Sequence, residues 1–155
     1  MEAGMTQLKT RAIWALCIWG LVMIGLCITF FSKGGPAAFL DGELRVTLTR
    51  AFFTVGLIAY FTMLLITRRG KTSIVKDERD ELIEKRAMAT GFYVLLFYVF
   101  VFCLFLYWFY KIDQETAVMP VGWIWFLGIS CYFMGFISQA VATLILENRM
   151  SGNAE

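Results

Sequence analysis

The stretch RRGKTSIVKDERDELIEKR, residues 68–86, holds twelve of the chain's 26 charged residues, and the sequence on either side of it is almost wholly apolar. Working outward from it, runs without a charge cover 12–31, 51–67, 87–110 and 117–146. A helix crosses a hydrocarbon core of about 30 Å with roughly 20 apolar residues. Barrel strands need only about 10 residues of strict alternation, which these runs do not show. The chain therefore reads as an all-α membrane protein with four transmembrane helices, at about 12–31, 46–67, 87–110 and 119–146. They form one domain over residues 1–155, with the charged segment 68–86 between the second and third spans. Leu44, Val46 and Leu48 extend the second helix across Arg45 and Arg50. Because 43–49 also alternates, a short strand there is the competing reading. A composition of 59% hydrophobic and 17% charged residues agrees, against about 25% charged in soluble domains.

Lysines and arginines near the span ends give the orientation. Lys9 and Arg11, the seven basic residues of 68–86, and Arg149 fall on one side; Lys33, Arg45, Arg50 and Lys111 fall on the other. Both termini and the charged segment are expected in the cytoplasm. The first apolar run, at 20 residues, exceeds the 7–15 of a signal-peptide core and reads as a retained helix. A net charge of +2 gives no basis for nucleic-acid binding. Cys17, Cys27, Cys103 and Cys131 all lie in spans without a CxxC pair, as small apolar residues would.

The chain has no histidine, which removes haem ligation through histidine, histidine-based zinc sites and histidine relays. No charged residue lies well inside a run, whereas ion pathways and coupled transporters usually carry one. Gln139 is the strongly polar residue within a span, and an interhelical hydrogen bond is its simplest use. Thr29, Thr54, Thr62, Thr90, Ser130, Ser138 and Thr143 are expected to bond back to their own helices. Nothing points to a catalytic group, a cofactor or a metal.

Small residues recur at heptad spacing in the last span, at Gly128, Gly135 and Ala142, with Ser138 and Gln139 alongside. Such a face lets helices approach closely, so this seam is expected to pack against other helices of the chain or against a second copy. Aromatics surround the third span. Tyr107, Trp108, Phe109 and Tyr110, with Trp123 and Trp125, fit an interfacial belt.

Within the charged segment, Asp77 suits a helix cap, and Lys85 and Arg86 sit where basic side chains reach headgroups. The third helix should therefore begin in the cytoplasm and run unbroken into the bilayer. Glu81 and Lys85 form an i,i+4 pair in the favoured order. Asp77, Asp80, Glu81 and Glu84 share one helical face and repel one another unless basic groups offset them. Arg68, Arg69, Lys71, Lys9 and Arg11 are the candidates.

The string from Asp77, Glu78 and Arg79 to Ile83, Arg86 and Ala87, running into a membrane helix, resembles a family of small predicted bacterial and archaeal membrane proteins of unknown function. The resemblance covers 76 to the end of the fourth span. It implies a multi-pass protein of the cytoplasmic (inner) membrane and no particular activity.

The function expected from these residues is that of a non-catalytic membrane protein working by protein–protein contact. It would be an accessory subunit of a membrane complex or a membrane-bound regulator, docking through Asp77, Arg79, Asp80, Glu81 and Glu84. The alternative is a small oligomeric transporter or channel with a pore lined by Thr, Ser and Gln139. A membrane enzyme or redox subunit is a third, weaker reading because it needs a bound cofactor.

Overall fold

A computed structural model describes residues 7–32, 36, 43–69, 78–111 and 119–152. It contains four long helices: α1 (Gln7–Phe31), α2 (Glu43–Arg69), α3 (Glu78–Lys111) and α4 (Val121–Gly152). All four are long and apolar enough to cross a membrane. Residues 43–49, where a strand was the competing expectation, are the first two turns of α2. Lipid offers no partner to an isolated strand, whereas a helix satisfies its own backbone. The 34 residues of α3 make a rod of about 51 Å at 1.5 Å per residue, well beyond the roughly 30 Å of a hydrocarbon core. Its charged first turns continue into the apolar run without a break. Asp77, the expected cap, lies outside the described residues.

The central pair is α1 and α4; α2 packs on α1, and α3 packs on α4. The two outer helices do not pack extensively on each other, so the bundle is open between them. Trp19 of α1 is fully buried at its centre, with ring centroids of Tyr60 (α2) and of Tyr132, Phe133 and Phe136 (α4) all within 5.6 Å. Close approach of α1 and α2 depends on Gly56. A Cβ there would lie 2.8 Å from Val22 Cγ2 and 3.4 Å from Trp19. Thr49, also buried, comes within 3.5 Å of Thr29 across the same interface.

At one end of the bundle, Phe30, Phe102, Trp123 and Phe126 form a second aromatic cluster. Trp123 is 8% exposed and its indole N–H donates to Tyr110 Oη at 2.8 Å. It is therefore a core residue and not a member of the expected belt; Trp108 and Phe109 are both mostly exposed. The seven expected hydroxyls do bond to carbonyls of their own helices, from Thr29 to Gly25 through to Thr143 to Gln139. Cys17, Cys27, Cys103 and Cys131 are free thiols.

The small-residue seam of α4 divides. Ser138 and Ala142 are covered, and Ser138 Oγ reaches the Gly91 carbonyl of α3 at 3.4 Å. Gly128 and Gly135 instead have open space where a Cβ would stand. The tightest glycine contact between α3 and α4 is on the other helix. A Cβ at Gly91 would meet Gln139 N, Cα and Cβ, each at 3.4 Å.

Candidate functional site

The opposite end of the bundle gathers the charges. There Lys9 Nζ (α1) donates to Asn148 Oδ1 (α4) at 3.4 Å. Arg11 Nε and Nη2 donate to Thr67 Oγ1 and Thr67 O, both at 3.1 Å, placing a cation on the last turn of α2. The negative end of the helix dipole makes that position favourable. Glu147, only 5% exposed, lies within electrostatic reach of Lys9, Arg79 and Asp80, so α1, α3 and α4 meet there.

The carboxylates of the charged segment do not form one exposed face. Ile83 and Ala87 are buried against the bundle, which turns Asp80 and Glu84 partly inward. Glu81 remains exposed and pairs with Lys85 at 2.8 Å, as the i,i+4 spacing leads one to expect. An exposed pair of this kind contributes only about 0.3–0.5 kcal/mol. Glu78, Arg79 and Arg86 are also exposed. Of the basic groups expected to offset the stripe, Arg11 bonds to Thr67, and Lys9 lies within electrostatic reach of Glu147. Lys71, and the side chains of Arg68 and Arg69, lie outside the described residues.

Glu84 forms one wall of a cleft of about 240 Å³ that opens where α2 and α3 fail to meet. Arg11, Tyr60, Gln139 and Thr143 bring polar groups to it, and Leu8, Met63, Leu64 and Phe136 line the rest. A second cavity of about 290 Å³, lined by Met88, Gly91, Leu95, Cys131, Tyr132 and Gly135 among others, shares Phe136 and Gln139 with the first. The interhelical hydrogen bond expected of Gln139 is not made. Among the described residues its side-chain amide has no partner, and neither has the Tyr60 hydroxyl.

Sequence reasoning singled out Gln139 and Glu84 for separate purposes and passed over Tyr60 and Arg11 as parts of a site. The four come from four different helices, and no spacing along the chain brings them together. Among the described residues, no three His, Cys, Asp or Glu side chains are grouped as a metal site. The chain matches no family model, no curated protein and no solved structure.

Proposed function

We propose that the protein is a non-catalytic, multi-pass protein of a bacterial or archaeal cytoplasmic membrane that works by contact with another protein. Both termini and the start of α3 face the cytoplasm in this reading, following the ten basic residues on that side against four on the other. The observation that carries it is the first two and a half turns of α3, residues 78–86. They extend the helix past its apolar run and present Glu78, Arg79, Glu81, Lys85 and Arg86 outward, while the spans hold no charged group at their centres. Asp80 and Glu84, being turned partly inward, contribute to the edge of that surface and not to its middle. The docking surface is thus smaller than the full carboxylate stripe.

Rim charges of this kind set association rate and partner choice. The double reversal Glu78→Lys, Glu81→Lys is expected to cut recovery of a cross-linked partner at least about tenfold, with the membrane level of the protein unchanged. Equal recovery from wild type and variant, quantified by mass spectrometry after cross-linking in intact membranes, would sink the reading.

The second reading, a small oligomeric transporter or channel, is favoured by the cleft that holds Gln139, Tyr60 and Arg11. It requires solute flux in liposomes that is lost in Gln139→Leu.

A further inference from the structure

We infer that the cleft lined by Arg11, Tyr60 and Gln139 binds the phosphoglycerol part of an anionic phospholipid, its phosphate on Arg11 and an ester carbonyl deeper in. This site is separate from the docking surface on α3 and does not rest on it. Arg11 sets the first requirement. A guanidinium carries five N–H donors and no acceptor. Arg11 uses two of the five on Thr67, through Nε and Nη2, so three remain on a half-buried cation lining the cleft. Among the described residues it meets no carboxylate. The end of α2 that it touches carries the equivalent of about half a negative charge, which offsets only part of the guanidinium's full one. Glu84 also lines the cleft, but its interaction within the protein is not with Arg11, so it does not supply the counterion. A cation with spare donors in such a place takes an oxyanion, and the planar fork fits two phosphate oxygens at once.

Depth sets the second requirement. Arg11 and Thr67 stand at the ends of their apolar runs, the level of headgroups. Tyr60 and Gln139 each lie seven residues inside a run, about 10 Å deeper at 1.5 Å per residue. The two levels belong to one space, since Tyr60 is within electrostatic reach of Arg11 and all three side chains line the same cleft. Among the described residues the Tyr60 hydroxyl and the Gln139 amide have no partner, and polar groups left so below the headgroups are costly. A free phosphate at the mouth answers Arg11 and leaves this lower level unmet.

A glycerophospholipid answers both levels. Its ester carbonyls follow the phosphate by a few bonds toward the chains, so one molecule presents a charged acceptor at the mouth and neutral acceptors below it. Tyr60 and Gln139 each donate to a carbonyl oxygen as readily as to an anion. The size of the cleft agrees. At about 240 Å³ it falls below the roughly 300–1,000 Å³ of sites that enclose a drug-sized ligand, so it holds the phosphate and glycerol and not the acyl chains. The chains leave on the side where α2 and α3 do not pack extensively on each other.

The test is a native mass-spectrometric titration of the full chain in detergent with phosphatidylglycerol, phosphatidylcholine of the same chains, and inorganic phosphate. Wild type should bind phosphatidylglycerol at least about tenfold more tightly than phosphatidylcholine, whose own ammonium offsets its phosphate; that is the scale of one hydrogen bond to a charged group. Tyr60→Phe, which keeps the ring on Trp19, and Gln139→Leu should each weaken both lipids about fivefold, the scale of one neutral hydrogen bond. Arg11→Gln should instead abolish the preference between them. Because Arg11 also holds the end of α2, that variant is read as the ratio of the two affinities, which the amount of folded protein does not alter. Equal binding of the two lipids by wild type, as annular lipid would give, overturns the proposal, and so does a preference that survives Arg11→Gln. It is equally overturned if Tyr60→Phe and Gln139→Leu both leave the lipid affinities unchanged, or if inorganic phosphate displaces the lipid.

Discussion

Trp19→Ala is expected to lower the unfolding free energy of the protein by about 3 kcal/mol, the near end of the range for deleting a buried tryptophan. The choice of the near end follows from where the side chain sits. Trp19 is fully buried among rings of α2 and α4, so its loss leaves a void walled by protein that lipid tails do not fill. The protein loses dispersion contacts there, with little of the water-transfer term that adds to such losses in soluble cores. Trp19→Phe should behave differently. Among the described residues the indole Nε1 has no hydrogen-bond partner, and an unpaired buried donor costs about 1–3 kcal/mol. Phenylalanine removes that donor while keeping most of the ring contacts, so the two effects oppose and the net change should stay within about 1 kcal/mol. Titration with dodecyl sulfate in mixed micelles measures both. Equal destabilisation by Ala and Phe would mean that the ring cluster is not what holds the centre. The consequence reaches the cleft, because Tyr60 and Phe136 line it and both pack their rings on Trp19, tilted at 5.4 Å and stacked at 5.3 Å.

Much of the architecture was legible because membrane spans write themselves plainly: charge-free runs of sufficient length have few alternatives to a helix. The continuity of α3 through residues 78–86 was legible as well, from helix formers without Gly or Pro between Asp77 and Gly91. Neighbour relations were not. In a soluble protein the apolar face of a helix is its buried face, but in lipid the buried and exposed faces use the same side chains. Trp19 at the core and Trp14, 55% exposed on the same helix, cannot be told apart by residue type. The same ambiguity moved Trp123 from the belt to the core. It also hid the cleft, since Arg11, Tyr60, Glu84 and Gln139 become neighbours only once α1 and α4 are known to be central and α2 and α3 known to stand apart. Of the charged stripe, the side that faces the bundle follows from Ile83 and Ala87, two apolar residues four apart that bury themselves and carry Glu84 inward with them.

The small-residue seam supplies the sharpest contrast between the two levels, and with it the second large effect. Heptad spacing pointed to Gly128 and Gly135 of α4, whereas the close approach is made by Gly91 of α3. Gly91→Leu is expected to destabilise the protein by about 3 kcal/mol, the upper end for overpacking. The neighbours of a new Cβ there are backbone N and Cα of Gln139, which cannot swing aside as a side-chain tip can. At 3.4 Å a Cβ alone just fits, so Gly91→Ala should cost less than about 1 kcal/mol. The further carbons of leucine have to push α3 away from α4, the one helix on which α3 packs extensively. Gly128→Leu puts the same side chain into open space and should change stability by no more than about 0.5 kcal/mol. If Gly128→Leu proves as damaging as Gly91→Leu in the same dodecyl sulfate titration, the heptad seam is a true contact face. A second copy of the chain is then the natural partner to seek against it.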